Sequence, residues 1–245
     1  MIGRILRGAM KPLGYTIIRT PTGSTPVIDT PFHFLLRHYA IDTVIDVGAN
    51  EGQFGLELRR HGFKGLIISL EPLSDAFRKL QCIANENGPW QVHQCAAGDG
   101  EAEAELNVAG NSVSSSILPM ERKHEDMLPI SKYVSTERIK VHTLDSMFGQ
   151  HLTEMGKMFL KIDVQGFEKQ VLAGSRLILS SAVGVLLETS IVSLYRGSMC
   201  LPEALEMMGA NGFLLYDVER IFLDAKTQQT LQLDCTFFRR ENGAN

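Results

Sequence analysis

The segment VIDVGANEGQFG (44–55) limits the fold more than any other stretch of this chain. An apolar run ending in Asp46 passes into a turn with Gly48, Gly52 and Gly55, then into a helical pattern that reaches about His61. Strand, glycine turn and helix in that order open an α/β sheet, whose ligands bind at the carboxyl end of the first strand, where glycine lets the backbone come close. The rest of the chain repeats the alternation. GLIISL (65–70) is a second strand, followed by a helix near Ser74–Asn85, and WQVHQCAA (90–97) is a third strand. EAEAELNV (101–108) alternates like a half-exposed strand and suits a hairpin. MFLKID (158–163) and VGVLLE (183–188) are two more buried strands, separated by a helix around Glu168–Leu179. GFLLYDV (212–218), RIFLD (220–224) and QLDCTFFRR (232–240) close an antiparallel edge. This order predicts an α/β fold, a mostly parallel sheet with helices on both faces.

A chain of 245 residues suits one such domain with decorations. Residues 42–245 read as the domain and 1–41 as an amphipathic helix and a connector. Ile2, Ile5, Leu6 and Met10 share one helical face and Arg4, Arg7 and Lys11 the other, which suits an anionic membrane surface or the protein's own core. Pro21, Pro26 and Pro31 mark the connector. An insertion at about 109–137, rich in serine and charge and holding Pro119 and Pro129, reads as a lid or a solvated loop. A net charge of -4 argues against a broad nucleic-acid surface. Cys82, Cys95, Cys200 and Cys235 form no CxxC pair and no zinc spacing, which implies a reducing compartment and no structural zinc. With no signal-peptide pattern and no apolar run of the roughly 18 residues a span needs, the chain reads as cytoplasmic. Oligomeric state is not legible.

The chemistry starts at the first strand's turn. Position 50 is Asn, so there is no GxGxxG dinucleotide fingerprint, and no GK[ST] is present. Between Asp46 and Leu58 there is no Lys or Arg; the turn offers Asp46 and Glu51 instead. That suits a ligand with positive charge and no pyrophosphate, such as S-adenosylmethionine with its α-amino group and sulfonium. SLEP (69–72) puts Glu71 at the second strand end, where a carboxylate accepts ribose hydroxyls of NAD or S-adenosylmethionine alike. Ala96 and Ala97, in CAAGDGEAE (95–103), leave room for an adenine face. In FLKIDVQGFEKQVLAG (159–174), Lys161 and Asp163 share a strand face, and Asp163 emerges at the strand end. Glu168 opens the next helix, where the dipole favours a carboxylate, and Glu188 ends the neighbouring strand.

Taken in order, VIDVGANEGQFG, SLEP, TLDS (143–146), LKIDVQGFEKQVLAG, ETSIVSLYRG (188–197) and LDCTFFRR resemble the FkbM family of S-adenosylmethionine-dependent methyltransferases, from about Asp42 to Arg240. The resemblance implies a Rossmann-like class I methyltransferase fold with a seven-stranded sheet and an antiparallel last strand. It also implies O-methylation of a hydroxyl on a sugar, glycolipid or polyketide-like molecule. Carried over by position, Asp46, Gly48, Ala49, Asn50, Gly52, Gln53 and Phe54 cradle the cofactor, Glu71 and Pro72 face the ribose, Ala96 and Ala97 flank adenine, and Asp163 lies near the sulfonium. Family members often carry an acid where this chain has Gln165.

Asp163 is the first choice for a base or for orienting the acceptor, ahead of Glu188 and Glu168. Tyr195, Arg196, His124 and Tyr133 are candidates to line the acceptor, although His124, within ERKHED, reads first as a solvated histidine. His93 and His142 read as structural, and Lys161 as a counter-charge to Asp163. No metal is expected, because no Asp-Asn pair marks the second strand end. Base methylation lacks its [DNS]PP[YFW] tetrad and Pro-Cys dipeptide. A nicotinamide-dependent oxidoreductase or epimerase, or an adenosyl-binding scaffold, stays open at this stage.

Overall fold

The computed structural model describes residues 30–240. The strands are β1 (Thr43–Val47), β2 (Leu66–Leu70), β3 (Trp90–His93), β4 (Ala96–Ala97), β5 (Ala102–Ala109), β6 (Tyr133–His142), β7 (Met158–Ile162), β8 (Ala182–Ser190), β9 (Phe213–Leu223) and β10 (Thr230–Arg239). The helices are α1 (Pro31–His38), α2 (Gln53–Arg60), α3 (Ser74–Glu86), α4 (Arg122–Met127), α5 (Leu144–Phe148), α6 (Glu168–Ala173), α7 (Arg176–Ser181) and α8 (Leu201–Ala210).

Seven strands form the main sheet in the order β3-β2-β1-β7-β8-β10-β9. The pairs from β3 to β8 are parallel, and β10, the last strand, is antiparallel to both its neighbours. This is the expected α/β architecture. The order reverses at β1, which has β2 on one side and β7 on the other, so the crevice at their carboxyl ends is the topological switch point.

Period-two alternation builds the core on both faces. Ile45, Ile68 and Leu160 pack with Leu144, Val171, Ile178 and Met208, from α5 to α8, on one face. Val44, Ile67 and Phe159 point to the other, against Leu36, Leu58 and Leu80 of α1 to α3. Each such fully buried side chain is worth about 1.5–3 kcal/mol. Helix α2 lies so close to Trp90 that a Cβ on Gly55 would fall 2.2 Å from the indole ring.

Several elements differ from the sequence reading. WQVHQCAA is not one strand: β3 joins the main sheet, while β4 pairs with β6 in a three-stranded sheet of order β4-β6-β5. The partner of the half-exposed β5 is β6, in antiparallel register. Strand β6 begins inside the segment read as insertion, because only Ile139 and Val141 of its side chains are buried and its apolar alternation is weak. The insertion proper is therefore 110–132. It is packed, not solvated: Ser114, Ser116, Met120, His124 and Ser131 are buried. The helix read at Glu168–Leu179 is two, α6 and α7, because the chain at Gly174 abuts Gly98, whose carbonyl oxygen would lie 1.9 Å from an added Cβ. The two segments read at 212–218 and 220–224 are one strand, β9.

Pro31–His38, in the stretch read as connector, is a helix that buries His33 and Leu36. The basic amphipathic segment at residues 1–11 lies outside the described residues. Among the described residues no helix is long and apolar enough to cross a membrane. All four cysteines are free.

Candidate active site

The turn after β1 packs backbone to backbone against the end of β7. Gly48 has φ +78°, and a Cβ there would lie 1.9 Å from the Asp163 carbonyl oxygen. Asp163 N donates to Val47 O at 3.1 Å. Asn50 has φ +47°, a left-handed conformation that asparagine tolerates, and its Oδ1 accepts from Glu51 N at 2.8 Å. Asn50 N donates to Glu71 Oε2 and Leu73 N to Glu71 Oε1, each at 2.8 Å, so Glu71 ties the loops after β1 and β2 together. Burial raises the Glu71 carboxyl to about 7, with the two backbone N–H groups partly offsetting it. Each carboxylate oxygen keeps a second lone pair, which leaves the group able to accept a ribose diol. Helix α2 starts after Gly52 without a side-chain cap, leaving first-turn N–H groups for an anionic group such as the methionine carboxylate. These features fit S-adenosylmethionine. Within the cradle Gln53 is exposed, Asn50 and Pro72 half-buried, and Ala49, Gly52, Ala96 and Ala97 buried. Phe54 packs inward, 5.9 Å from the ring of Phe32.

Beneath the cradle lies a buried ion pair. Asp46 is 0% exposed; its Oδ2 accepts from Ser69 Oγ at 3.3 Å, and Trp90 Nε1 donates to that hydroxyl at 2.9 Å. Lys161, the register partner of Asp46, puts Nζ 3.1 Å from Asp46 Oδ1 and 3.5 Å from Asp163 Oδ2, and donates to Gly48 O at 3.0 Å. Burial pulls the Lys161 value down, but Asp46 and Asp163 more than reverse it, so the lysine sits above its ordinary value and is a cation. The sequence assigns Asp46 to the ligand; the structure puts its carboxylate under the loop, against Lys161, which also donates to the Gly48 carbonyl.

The acids of the site form a cross-strand row. Ile162 pairs with Leu187, which brings Asp163 beside Glu188; Glu188 faces Asp234 of β10, and Asp234 faces Glu219 of β9. Burial first, then Asp163, Glu168 and Asp234, raise the Glu188 carboxyl well above the usual range. Burial, then Asp163, raises Asp234 to about 7. The Asp163 side chain stays 34% exposed. Gln165 Nε2 donates to Asp163 Oδ1 at 2.9 Å and to Glu188 Oε2 at 2.8 Å. Glu168, by contrast, is buried and clamps the turn after β7: its Oε1 accepts from Val164 N at 3.2 Å and Gly166 N at 2.9 Å. Burial raises it to about 7.

The four acceptor candidates divide. Tyr195 is fully buried, and its hydroxyl donates to Gln165 Oε1 at 2.7 Å and Ser114 O at 3.2 Å. Tyr133 donates to Leu118 O at 2.7 Å. His124 is not solvated: it is buried with its ring 5.3 Å from that of Tyr195 and 5.7 Å from that of Phe222, and burial lowers its value, which keeps it neutral. Only Arg196 is exposed. The first three seat the 110–132 segment, which reaches the cradle through Asn50 Nδ2 to Ser112 Oγ at 3.4 Å and the acids through Ser116 Oγ to Gln165 O at 2.7 Å. His93 packs 5.6 Å from the Phe148 ring and His142 pairs with Glu101. Sequence reasoning missed Asp234 and the bridging role of Gln165. The Asp234 signal was present in the alternation of QLDCTFF, but only the register puts it opposite Glu188.

Methyltransferase 1 of Beauveria bassiana is 29% identical over 143 residues, 54% of this chain and 57% of that protein, so the chain spans little more than half the length of that relative. Among solved structures, magnesium protoporphyrin IX methyltransferase from Synechocystis PCC 6803 is 13% identical at a TM-score of 0.46, covering 85% of this chain and 75% of its own. TehB from Haemophilus influenzae is 7% identical at 0.47, covering 88% and 64%. The profile of the Methyltransferase FkbM domain matches residues 46–215, which runs from the buried Asp46 across the cradle, past Asp163 and Glu188, and into β9. The chain belongs to the FkbM family of S-adenosylmethionine-dependent methyltransferases.

Proposed function

We propose that this protein transfers the methyl group of S-adenosylmethionine to a hydroxyl of a sugar, glycolipid or polyketide-like small molecule. The observation that carries the reading is the placement of Asp163: a partly exposed carboxylate locked by backbone to the donor loop at Gly48 and by side chains to Lys161 and Gln165. S-adenosylmethionine supplies an electrophilic methyl group on a sulfonium. The chain's own residues align the two reactants, exclude water and take the hydroxyl proton. Asp163 is the proton acceptor. Glu188 is the poorer choice because burial and its acidic neighbours favour its protonated form. The 110–132 segment serves as the cover that keeps water from the donor. The free cysteines support a reducing, cytoplasmic setting.

Two tests bear on this reading. In an assay against a panel of hydroxylated acceptors, Asp163→Asn is expected to lose about 10²–10⁴-fold in kcat, the usual worth of a positioned base. Its affinity for S-adenosylhomocysteine should stay within about twofold, under 0.5 kcal/mol. Undiminished turnover would remove Asp163 from the role. The second test uses pH. Glu71 titrates near 7, so its carboxylate is available to the ribose above that value and is lost as pH falls through it. S-adenosylhomocysteine is therefore expected to bind several-fold more weakly at about pH 6 than at about pH 8, and Glu71→Gln to flatten the dependence. An equal slope in the variant would show that another group is responsible.

A further inference from the structure

Asp163 and Glu188 are held together by one side chain, in a turn that is expensive to form. Gln165 has φ +53°, a left-handed conformation that a non-glycine residue adopts only at a cost. The turn is fixed from three sides. Glu168 Oε1 accepts the N–H groups on either side of Gln165, those of Val164 and Gly166. Ser116 Oγ donates to the Gln165 carbonyl oxygen at 2.7 Å. A Cβ on Gly166 would come 2.8 Å from Tyr195 Cβ, so the turn lies flat against that residue. Every polar atom of the Gln165 amide is used: Nε2 gives one hydrogen to Asp163 Oδ1 and one to Glu188 Oε2, and Oε1 accepts from Tyr195. The one hydrogen of the tyrosine hydroxyl lies between Gln165 Oε1 and Ser114 O, and with Oε1 on the tyrosine both amide hydrogens go to the acids.

We propose that Gln165 is a positioning residue for methyl transfer, its two amide hydrogens holding Asp163 and Glu188 as a fixed pair and keeping Asp163 turned toward the hydroxyl to be methylated. The proposal rests on the reading of Asp163 as proton acceptor. The groups that face the pair are Lys161 on β7, Glu168 on α6, Asp234 on β10 and Tyr195. Lys161 is the one cation among them. A neutral donor adds no further negative charge to this row. A carboxyl at position 165 could donate only while it kept its proton, and then only one hydrogen.

The test is a carboxyl carbon NMR titration of the full chain, labelled on Asp and Glu and saturated with S-adenosylhomocysteine. Asp163→Asn and Glu188→Gln assign the two resonances. A hydrogen bond given to a carboxylate favours its ionised form, so Gln165→Leu is expected to move the Glu188 midpoint upward by about one pH unit or more and to displace the Asp163 carboxyl resonance. Gln165→Glu adds an acid whose folded value is raised above its unfolded value of about 4.3, so the variant should melt close to wild type at acid pH and progressively lower as pH rises from there. An unmoved Glu188 midpoint in Gln165→Leu, or a Gln165→Glu melting profile parallel to wild type, would overturn the bridge whatever Asp163→Asn does to turnover. A moved Glu188 midpoint beside normal turnover in Asp163→Asn would overturn the proton-acceptor reading and leave the pairing itself in place.

Discussion

Replacing Lys161 by methionine is expected to lower the unfolding free energy by about 3–5 kcal/mol, the usual cost of stranding one partner of a buried ion pair. Asp46 has no exposed surface, and beyond Lys161 its side chain has only the Ser69 hydroxyl, itself occupied by Trp90. An exposed pair would be worth about 0–1 kcal/mol, because solvent replaces the lost partner. Here no water can. Urea denaturation of the single variant should show the loss, and Asp46→Asn combined with Lys161→Met should recover most of it, since the fully buried carboxylate is then gone and the partly exposed Asp163 is left to solvent. The lysine's raised value means that its contribution is fully present below the unfolded lysine value of about 10.4 and is lost only as pH climbs past it toward the folded value. A single-variant loss under about 1 kcal/mol would mean that Asp46 does not depend on Lys161.

Gly48→Ala is the second large effect. The added methyl would meet a backbone oxygen of Asp163 at 1.9 Å, in a conformation with φ +78° that alanine disfavours. Backbone cannot rotate aside as a side chain would, so β1 and β7 must separate at the switch point. The expected loss is about 3 kcal/mol or more in stability, at the upper end of the cost of a strained non-glycine residue. The affinity for S-adenosylhomocysteine should fall at least about tenfold, or 1.4 kcal/mol. Gly100→Ala is the control, since nothing lies within 4 Å of a Cβ there. Equal behaviour of the two variants in a melting curve and a binding titration would contradict the close packing of the donor loop on β7.

The parts of this site that were legible in the sequence are those encoded locally. A glycine turn after an apolar strand, a cation-free loop and acids at strand ends all follow from short spacings, and Gly48, Glu71 and Asp163 stand where those spacings put them. What the sequence hid depends on pairing. Asp234 lies far from Glu188 along the chain and becomes its neighbour only through the antiparallel register of β10 on β8. Strand β6 was obscured because only two of its ten side chains are buried, which removes the alternation that reveals a strand. His124 sits in a run of charged residues, and only the folding of the insertion against Tyr195 and Phe222 buries it. Asp46 looked like a ligand group because it ends the first strand, but its partner is Lys161 on β7, reached across the sheet.

The most direct test of the account is a calorimetric titration of the purified protein with S-adenosylmethionine, S-adenosylhomocysteine and NAD, repeated on Glu71→Ala. Both adenosyl ligands are expected to bind saturably, more weakly in the variant, and NAD not to bind. Binding of NAD alone would contradict the account.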